Sequence, residues 1–310
     1  MTTDAKRSDE IKAEALRLGF FACGIARADK VSDDEEQHLR EWLHRGMQAD
    51  MNWMNNYLEK RIDPRLLMDG LRSIVSVAMN YTPKQQLPEG EPQLAAYALG
   101  QDYHDVVKLR LRQLATFIYG EDKIEQANYR VFVDSGPVLE RYWAQQAGLG
   151  WVGKNRQLII PHAGSMFFLG ELFLDFPLDY DRPMPSRCGN CTRCIDHCPT
   201  HVLSEEHDFD SNLCLSYQTI ENRHELSSTA QQAMGNVIYG CDRCQQACPW
   251  NRFAQPNTTP EFQPRPELLK MTREDWKHLS VEQFRSLFKG SAVKRAKYEG
   301  LMRNISNLFS

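Results

Sequence analysis

No run in the 310-residue chain approaches 18 consecutive apolar residues, which argues against a membrane-spanning helix. There is no basic excess either: 37 Lys and Arg against 41 Asp and Glu give a formal charge of −4. That excludes a generally basic nucleic-acid coat while leaving room for a local basic patch. Behind the opening Met1-Thr2-Thr3-Asp4-Ala5-Lys6-Arg7 there is no apolar stretch and no twin arginine, so no export signal is expected and the predicted location is the cytoplasm. A phosphate loop of the form G-x-x-x-x-G-K-[ST] is missing. Gly148, Gly150 and Gly153 have G-x-G-x-x-G spacing, but they follow a helical stretch rather than a strand, which favours a turn over a dinucleotide site. The composition, 42% apolar and 25% charged, suits a globular protein with a sizeable core.

The cysteines carry the most information. Of nine, eight lie between Cys188 and Cys248 and only Cys23 stands apart, within the apolar stretch Phe20 to Ile25, as a small buried hydrophobe. In a reducing compartment such clustering points to metal or redox chemistry rather than disulfides. Cys188-x2-Cys191-x2-Cys194-x3-Cys198-Pro199 follows the bacterial ferredoxin spacing, in which the fourth cysteine ligates the other cluster. Cys241-x2-Cys244-x3-Cys248-Pro249 repeats it, with Cys214 standing in for the missing first member. Crossing the ligands assigns Cys188, Cys191, Cys194 and Cys248 to one 4Fe–4S cube, and Cys198, Cys214, Cys241 and Cys244 to the other. The alternative is a pair of four-cysteine zinc sites, which would not need the two extra cysteines each followed by proline.

Along the chain, helices are expected at Ser8 to Leu18, from the capping box Ser32-x-x-Glu35 to Gly46, at His104 to Tyr119, and from Pro137 to Ala147. Strands are expected at Ile74 to Met79 and Tyr129 to Asp134, and on either side of the turn Pro161-His162-Ala163-Gly164. The fold class is α+β, with a first domain over 1–180, a two-cluster ferredoxin-like domain over 181–255 and a helical C-terminal segment over 256–310. Thr272-x-x-Asp275 and Ser280-x-x-Gln283 are N-terminal cap patterns in that last segment. From Pro264 onward it holds ten Lys and Arg against five Asp and Glu.

Two cubes imply one-electron transfer into an acceptor held by the first domain. Histidine-ligated cobalamin would show D-x-H-x-x-G; Asp102-Tyr103-His104 begins that way, but Val107 replaces the glycine, which argues against histidine on cobalt and not against cobalamin. The tandem cluster motif resembles that of the epoxyqueuosine reductases. So do Cys214 to Arg223, Tyr97 to His104, Val133 to Arg141 and Gly150 to Asn155. The resemblance covers essentially the whole chain, although similar proteins generally continue into further C-terminal helices. It implies a nitroreductase-like cobalamin-binding domain ahead of the clusters, and reduction of epoxyqueuosine to queuosine at the wobble position of tRNA as the last biosynthetic step. Asp134, at the end of a strand, is then the proton donor to the leaving oxygen, its carboxyl raised by apolar surroundings; read without the resemblance it is equally an N-cap carboxylate.

Cobalamin contacts are expected from Tyr57, Tyr97, Asp134, Lys154, Gln157, Leu158, Ser216 and Asp242, with Asp102, Tyr103 and His104 lining the pocket. Arg223, Lys294, Arg295, Lys297 and Arg303 are the expected tRNA phosphate contacts; their bland alternative is a solvated helix face. An external low-potential electron donor, no membrane and a monomer complete the expectation. Competing readings are a reductive dehalogenase-like cobalamin enzyme, a non-catalytic ferredoxin-type electron carrier and a zinc-dependent nucleic-acid-binding module.

Overall fold

The computed structural model of the chain describes residues 3–309. Helix α1 (Thr3–Arg17) begins earlier than Ser8. Ser8 is not its cap but lies inside it, donating to the Asp4 carbonyl at 2.8 Å and accepting from the Asp179 amide at 3.0 Å. The apolar stretch around Cys23 is strand β1 (Ala22–Arg27). Helix α2 (Asp33–His44) opens as its sequence directs, with Ser32 accepting from the Glu35 amide. A short helix α3 (Leu58–Ile62), strand β2 (Ser73–Asn80) and strand β3 (Gln93–Leu94) follow. Then come helix α4 (Tyr103–Tyr119), capped by Asp102, and strand β4 (Tyr129–Phe132).

Helix α5 (Glu140–Gln146) starts three residues beyond Pro137, so proline does not open it. Strands β5 (Trp151–Val152) and β6 (Leu158–Ile159) pair with each other. The stretches flanking Pro161 to Gly164 are therefore not a regular hairpin: a single bridge joins Ile160 to Gly164 before strand β7 (Phe167–Leu174).

Antiparallel strands in the order β1-β2-β7-β4 form the central sheet. Helices α1 and α4 cover one face through Ile11, Ala15, Leu111 and Leu114. On the other face α2 and α5 contribute Leu39, Leu43, Trp143 and Ala144. Because both faces are covered, β2 is buried along nearly its whole length, Ser73 and Ser76 included, instead of alternating between buried and exposed. Gly24 is required here, since a Cβ would stand 2.0 Å from the Ala147 carbonyl at the end of α5. Close packing also explains the later glycines: Gly148 has φ +75°, and a Cβ on Gly150 would meet the Ile159 carbonyl at 2.0 Å. The G-x-G-x-x-G spacing is thus a tight turn, as its position after a helix predicts.

The cysteine region adds α6 (Arg193–Asp196), α7 (Leu215–Ile220), α8 (Ser228–Ala233), β8 (Val237–Tyr239) and α9 (Arg243–Gln246). Two capping boxes, at Thr272 with Asp275 and Ser280 with Gln283, start α10 (Arg273–Lys277) and α11 (Val281–Leu287) ahead of α12 (Lys297–Asn307). Strand β8 pairs in parallel with β3, and one apolar cluster joins Leu94 and Leu99 to Ile238, Trp276 and Leu301. The cysteine region is thereby locked to both its neighbours. Among the described residues no helix is long and apolar enough to cross a membrane.

Candidate active site and cluster cradle

A cleft of about 1420 Å3 runs between the sheet's first-region loops, the cysteine region and the C-terminal segment. Ordinary small-molecule sites span about 300–1,000 Å3, so this one has room for a large cofactor together with part of a second ligand. Asp134 stands on its wall, two residues past β4, in the left-handed region at φ +50°. Asp is among the few residues that adopt this conformation readily. The turn aims the carboxyl at the opening, where its side chain is 60% exposed. The expectation of apolar surroundings is therefore not met. The neighbours are polar: the Tyr103 hydroxyl donates to Asp134 Oδ2, and His104 Nε2 lies 3.9 Å from the same oxygen. His104 is itself steadied by Asp102, with Nδ1 to Oδ1 at 2.6 Å.

Tyr103 is fixed by packing. Its ring stacks on Phe168 at 4.3 Å and on His104 at 4.2 Å, with Tyr97 edge-on at 6.2 Å. Burial first, and then the Asp134 charge, hold the Tyr103 phenol well above its ordinary range, so it stays a donor. Behind the Asp134 turn lies a pair of acids that sequence reasoning missed. Glu140, the first residue of α5, accepts from the Asp134 amide. Its carboxyl faces that of Glu171, which is fully buried on β7 between Ser76 and Phe132. Neither Glu171 oxygen has a donor from elsewhere in the protein. Burial raises both acids, Glu171 most strongly, followed at Glu140 by the charge of Asp134 and at Glu171 by that of Glu140. Two facing buried carboxyls cannot both ionise, so they share at least one proton. The signal was available: Glu171 is the one charged residue in an otherwise apolar run, Phe167 to Leu174.

All nine cysteines are free thiols. Eight fall into two facing groups. Cys194 feels the charges of Cys248 and Cys188, and Cys248 those of Cys188 and Cys191. Cys244 feels Cys241, Cys214 and Cys198, and Cys241 feels Cys214. Burial is the first cause of the rise at Cys194, Cys214, Cys241, Cys244 and Cys248, pushing Cys194 and Cys241 up to about 11. As thiolates they need a positive partner, which iron supplies. A tetrahedral zinc site would gather ligands about 2.3 Å from one point. Among the described residues no three His, Cys, Asp or Glu groups converge on one ion in that way. A cube binds each thiolate to a separate iron corner, so its four ligands need not converge on one ion. The Trp151 indole N–H points at Cys188 Sγ from 3.4 Å, and backbone amides of Trp250 and Asn251 face Cys248. Cys198, Cys214, Cys241 and Cys244 line the cleft that holds Asp134, whereas the other four do not. Cys23 stands apart on β1, where burial pushes its thiol up to about 12.

Residues 61–135 match the family model described as epoxyqueuosine reductase QueG, DUF1730, and residues 187–251 match a 4Fe-4S double cluster binding domain. An epoxyqueuosine reductase from Cellulophaga algicola is 44% identical over 308 residues, an alignment spanning 99% of this chain and 100% of that one. The chain belongs to the epoxyqueuosine reductase family. The Escherichia coli epoxyqueuosine reductase is 39% identical across 96% of this chain and 79% of its own. The crystal structure of an epoxyqueuosine reductase with an epoxyqueuosine-modified tRNA-Tyr stem loop matches at TM-score 0.87 and 27% identity, covering 98% of this chain and 81% of that one. Among the competing readings of the sequence, full-length identity of this order selects the epoxyqueuosine reductase over the dehalogenase-like enzyme, the electron carrier and the zinc module.

Within this family member the expected site residues divide. Tyr57, Tyr97, Asp134, Gln157 and Ser216 line the cleft, together with Asp102, Tyr103 and His104. Lys154 does not: its ammonium donates to the Gly189 carbonyl at 2.7 Å and pairs with Glu205. Leu158 is 4% exposed with its side chain in the core, so any contact it makes to a ligand runs through its backbone. Asp242 accepts from the Ala96 amide at 2.6 Å and borders a separate cavity of about 480 Å3 beside Cys248. Lys294 and Arg295 stand at the cleft, with Arg295 paired to Glu221 at 2.7 Å, and Lys297 is exposed at the start of α12. Arg223 stays exposed and Arg303 is half-buried, yet both guanidinium groups bond to the chain's own carbonyls. Arg223 donates to the Ile220, Arg295 and Ala296 carbonyls, and Arg303 to those of Gln218, Asn222 and His224. A positive side chain in a sequence does not show which carbonyls it will meet, and at these two positions the internal ones claim it.

Proposed function

We propose that the protein reduces the epoxide of epoxyqueuosine at the wobble position of tRNA, giving queuosine, with cobalamin in the 1420 Å3 cleft and two 4Fe–4S clusters on the eight facing thiols. The observation that carries this reading is the shared wall: Asp134 and the four thiols of the inner group open onto one cleft. When bound, cobalamin supplies a strongly nucleophilic low-valent cobalt and the clusters supply electrons one at a time. Cys198, Cys214, Cys241 and Cys244 hold the inner cluster. Cys188, Cys191, Cys194 and Cys248 hold the outer one, toward an external low-potential donor.

Converting an epoxide to an alkene takes two electrons and two protons and releases one water. The protein's own part is to place the ligands and manage those protons. Asp134 is the group that passes a proton to the leaving oxygen, its carboxyl facing the opening where that oxygen arrives. Tyr103 fixes that carboxyl from the buried side, and Glu140 fixes the backbone amide that sets its direction. Tyr57, Tyr97, Gln157 and Ser216 line the cofactor's space. Lys294, Arg295 and Lys297 meet tRNA phosphates at the rim. On this reading residues 1–180 form the nitroreductase-like cobalamin domain, 181–255 the cluster domain and 256–310 the helical basic segment of a cytoplasmic monomer.

Anaerobic reconstitution with iron, sulfide and cobalamin, followed by assay on epoxyqueuosine-containing tRNA, tests the reading. Queuosine formation with two cubes per chain is the expected result. Protein that held zinc instead, with no affinity for cobalamin, would overturn it.

A further inference from the structure

We propose that Arg61 is a phosphodiester-binding residue, its guanidinium reserved on the cleft wall for a phosphate of an incoming ligand. Arg61 lies in α3 and lines the cleft, yet it is only 6% exposed. Among the described residues its Nε has no hydrogen-bond partner, its one hydrogen bond, from Nη2 to the Trp53 carbonyl, is stretched to 3.4 Å, and its guanidinium carbon lies 5.7 Å from the centre of the Trp53 ring. Among the described residues no carboxylate pairs with it. The acids beside it in the chain are already engaged: Glu59 pairs with Arg40 and Asp63 with Arg65, each at 2.8 Å. Burial without a counter-ion disfavours the charged guanidinium, in keeping with its environment.

A buried cation with no anion paired to it is costly, and one distant ring face and one long hydrogen bond offset little of that cost. Here the missing partner has a clear place to come from, because the guanidinium borders the 1420 Å3 cleft. The fork of an arginine matches two phosphate oxygens in one plane, a geometry lysine cannot supply. Its surroundings suit a nucleotide. Trp53 and Tyr57 border the same cleft at 42% and 67% exposure, offering flat aromatic faces beside the charge. Tyr57 is itself held at φ +57°, and its carbonyl accepts the Arg61 amide at 3.1 Å, so the turn that presents the tyrosine also positions the arginine.

This inference rests on the proposed function, whose two ligands both contain the required chemistry: the nucleotide tail of cobalamin and the RNA backbone. The test uses cluster-reconstituted protein and measures equilibrium binding of cobalamin, of cobinamide, which lacks the nucleotide tail and its phosphate, and of an epoxyqueuosine-free tRNA anticodon stem loop. If the cofactor's phosphate is the partner, Arg61→Gln weakens cobalamin binding roughly 10- to 100-fold and leaves cobinamide unchanged. If the RNA backbone is the partner, cobalamin binding is unchanged, stem-loop binding weakens, and the slope of log K against log salt becomes shallower by about 0.7–0.9. In either case Arg61→Lys, which keeps the charge and loses the fork, falls between wild type and Arg61→Gln. Arg61→Met guards against a folding defect: its ligand-free melting temperature is expected to equal or exceed that of wild type, since an unpaired buried charge has been removed. A lower one would assign Arg61 to the fold and overturn the proposal. Wild-type binding of all three probes by both Arg61→Gln and Arg61→Lys would overturn it too. Wild-type protein that bound neither cobalamin nor RNA would instead sink the proposed function, which keeps the two failures apart.

Discussion

At Asp134 a left-handed backbone turns a carboxyl out of the end of a strand, and the Tyr103 hydroxyl takes hold of it from the side buried against Phe168. Each element of that arrangement constrains a different atom, so substitutions separate their roles. Asp134→Asn keeps the shape and removes the proton. It should retain both clusters and cofactor by metal analysis and visible spectrum while losing roughly 10^2- to 10^4-fold in turnover. Wild-type turnover in that variant would take Asp134 out of the chemistry. Tyr103→Phe leaves the ring stack in place and deletes one donor, so its expected loss is smaller, about tenfold in kcat, with little change in cofactor binding. The address of Asp134, at a strand end before a helix, was legible in the sequence. Its polar, open setting was not, because Tyr103 and His104 arrive from a helix some thirty residues earlier in the chain.

At the scale of elements, β7 and α5 meet through Glu171 and Glu140, and this contact makes stability depend on pH. Burial first, and then the charge of Asp134 at Glu140 and of Glu140 at Glu171, raises both carboxyls in the folded chain. The folded protein therefore keeps a proton that the unfolded chain has released. Stability is greatest on the acid side and falls as pH rises from the ordinary glutamate value, near 4.3, toward the raised ones, by up to about 1.4 kcal/mol per pH unit for each such group. Glu171→Gln cannot titrate and still offers Glu140 a donor. Between about pH 5 and 8 its melting temperature should fall less steeply than that of wild type; an unchanged slope would show that the proton lies elsewhere.

The same elements show what sequence resolves. The helices begun by Ser32, Asp102, Thr272 and Ser280 are legible because a cap acts within three residues of its partner. Strands β3 and β8 are not, since each is two or three residues long and they find one another across more than 140 positions. The sheet order β1-β2-β7-β4 and the Glu140–Glu171 contact escape for the same reason.

On the scale of the whole molecule, the basic residues of the C-terminal segment divide between surface and fold. Lys294 and Lys297 are exposed, while Arg303 is spent on three carbonyls of the α7 region. Lys294→Ala with Lys297→Ala should weaken tRNA binding and make its salt dependence shallower, with melting unaffected. Arg303→Ala should instead lower the melting temperature by leaving part-buried carbonyls without donors, at about 1–3 kcal/mol for an unsatisfied buried group. The two thiol groups divide in the same way between inside and outside. The inner four face the cleft and the outer four do not; on the proposed ligand sets, electrons from an external donor would pass the outer cluster before the inner one. Cys214→Ala and Cys248→Ala should each lower iron to about one cube, the first losing the inner cluster and the second the outer. With a protein donor neither variant should turn over. A small reductant able to enter the cleft should restore activity to Cys248→Ala, whose inner four thiols are intact, and not to Cys214→Ala. An iron content unchanged by Cys214→Ala would refute the crossed ligand sets, and rescue of both variants alike would refute the order of transfer.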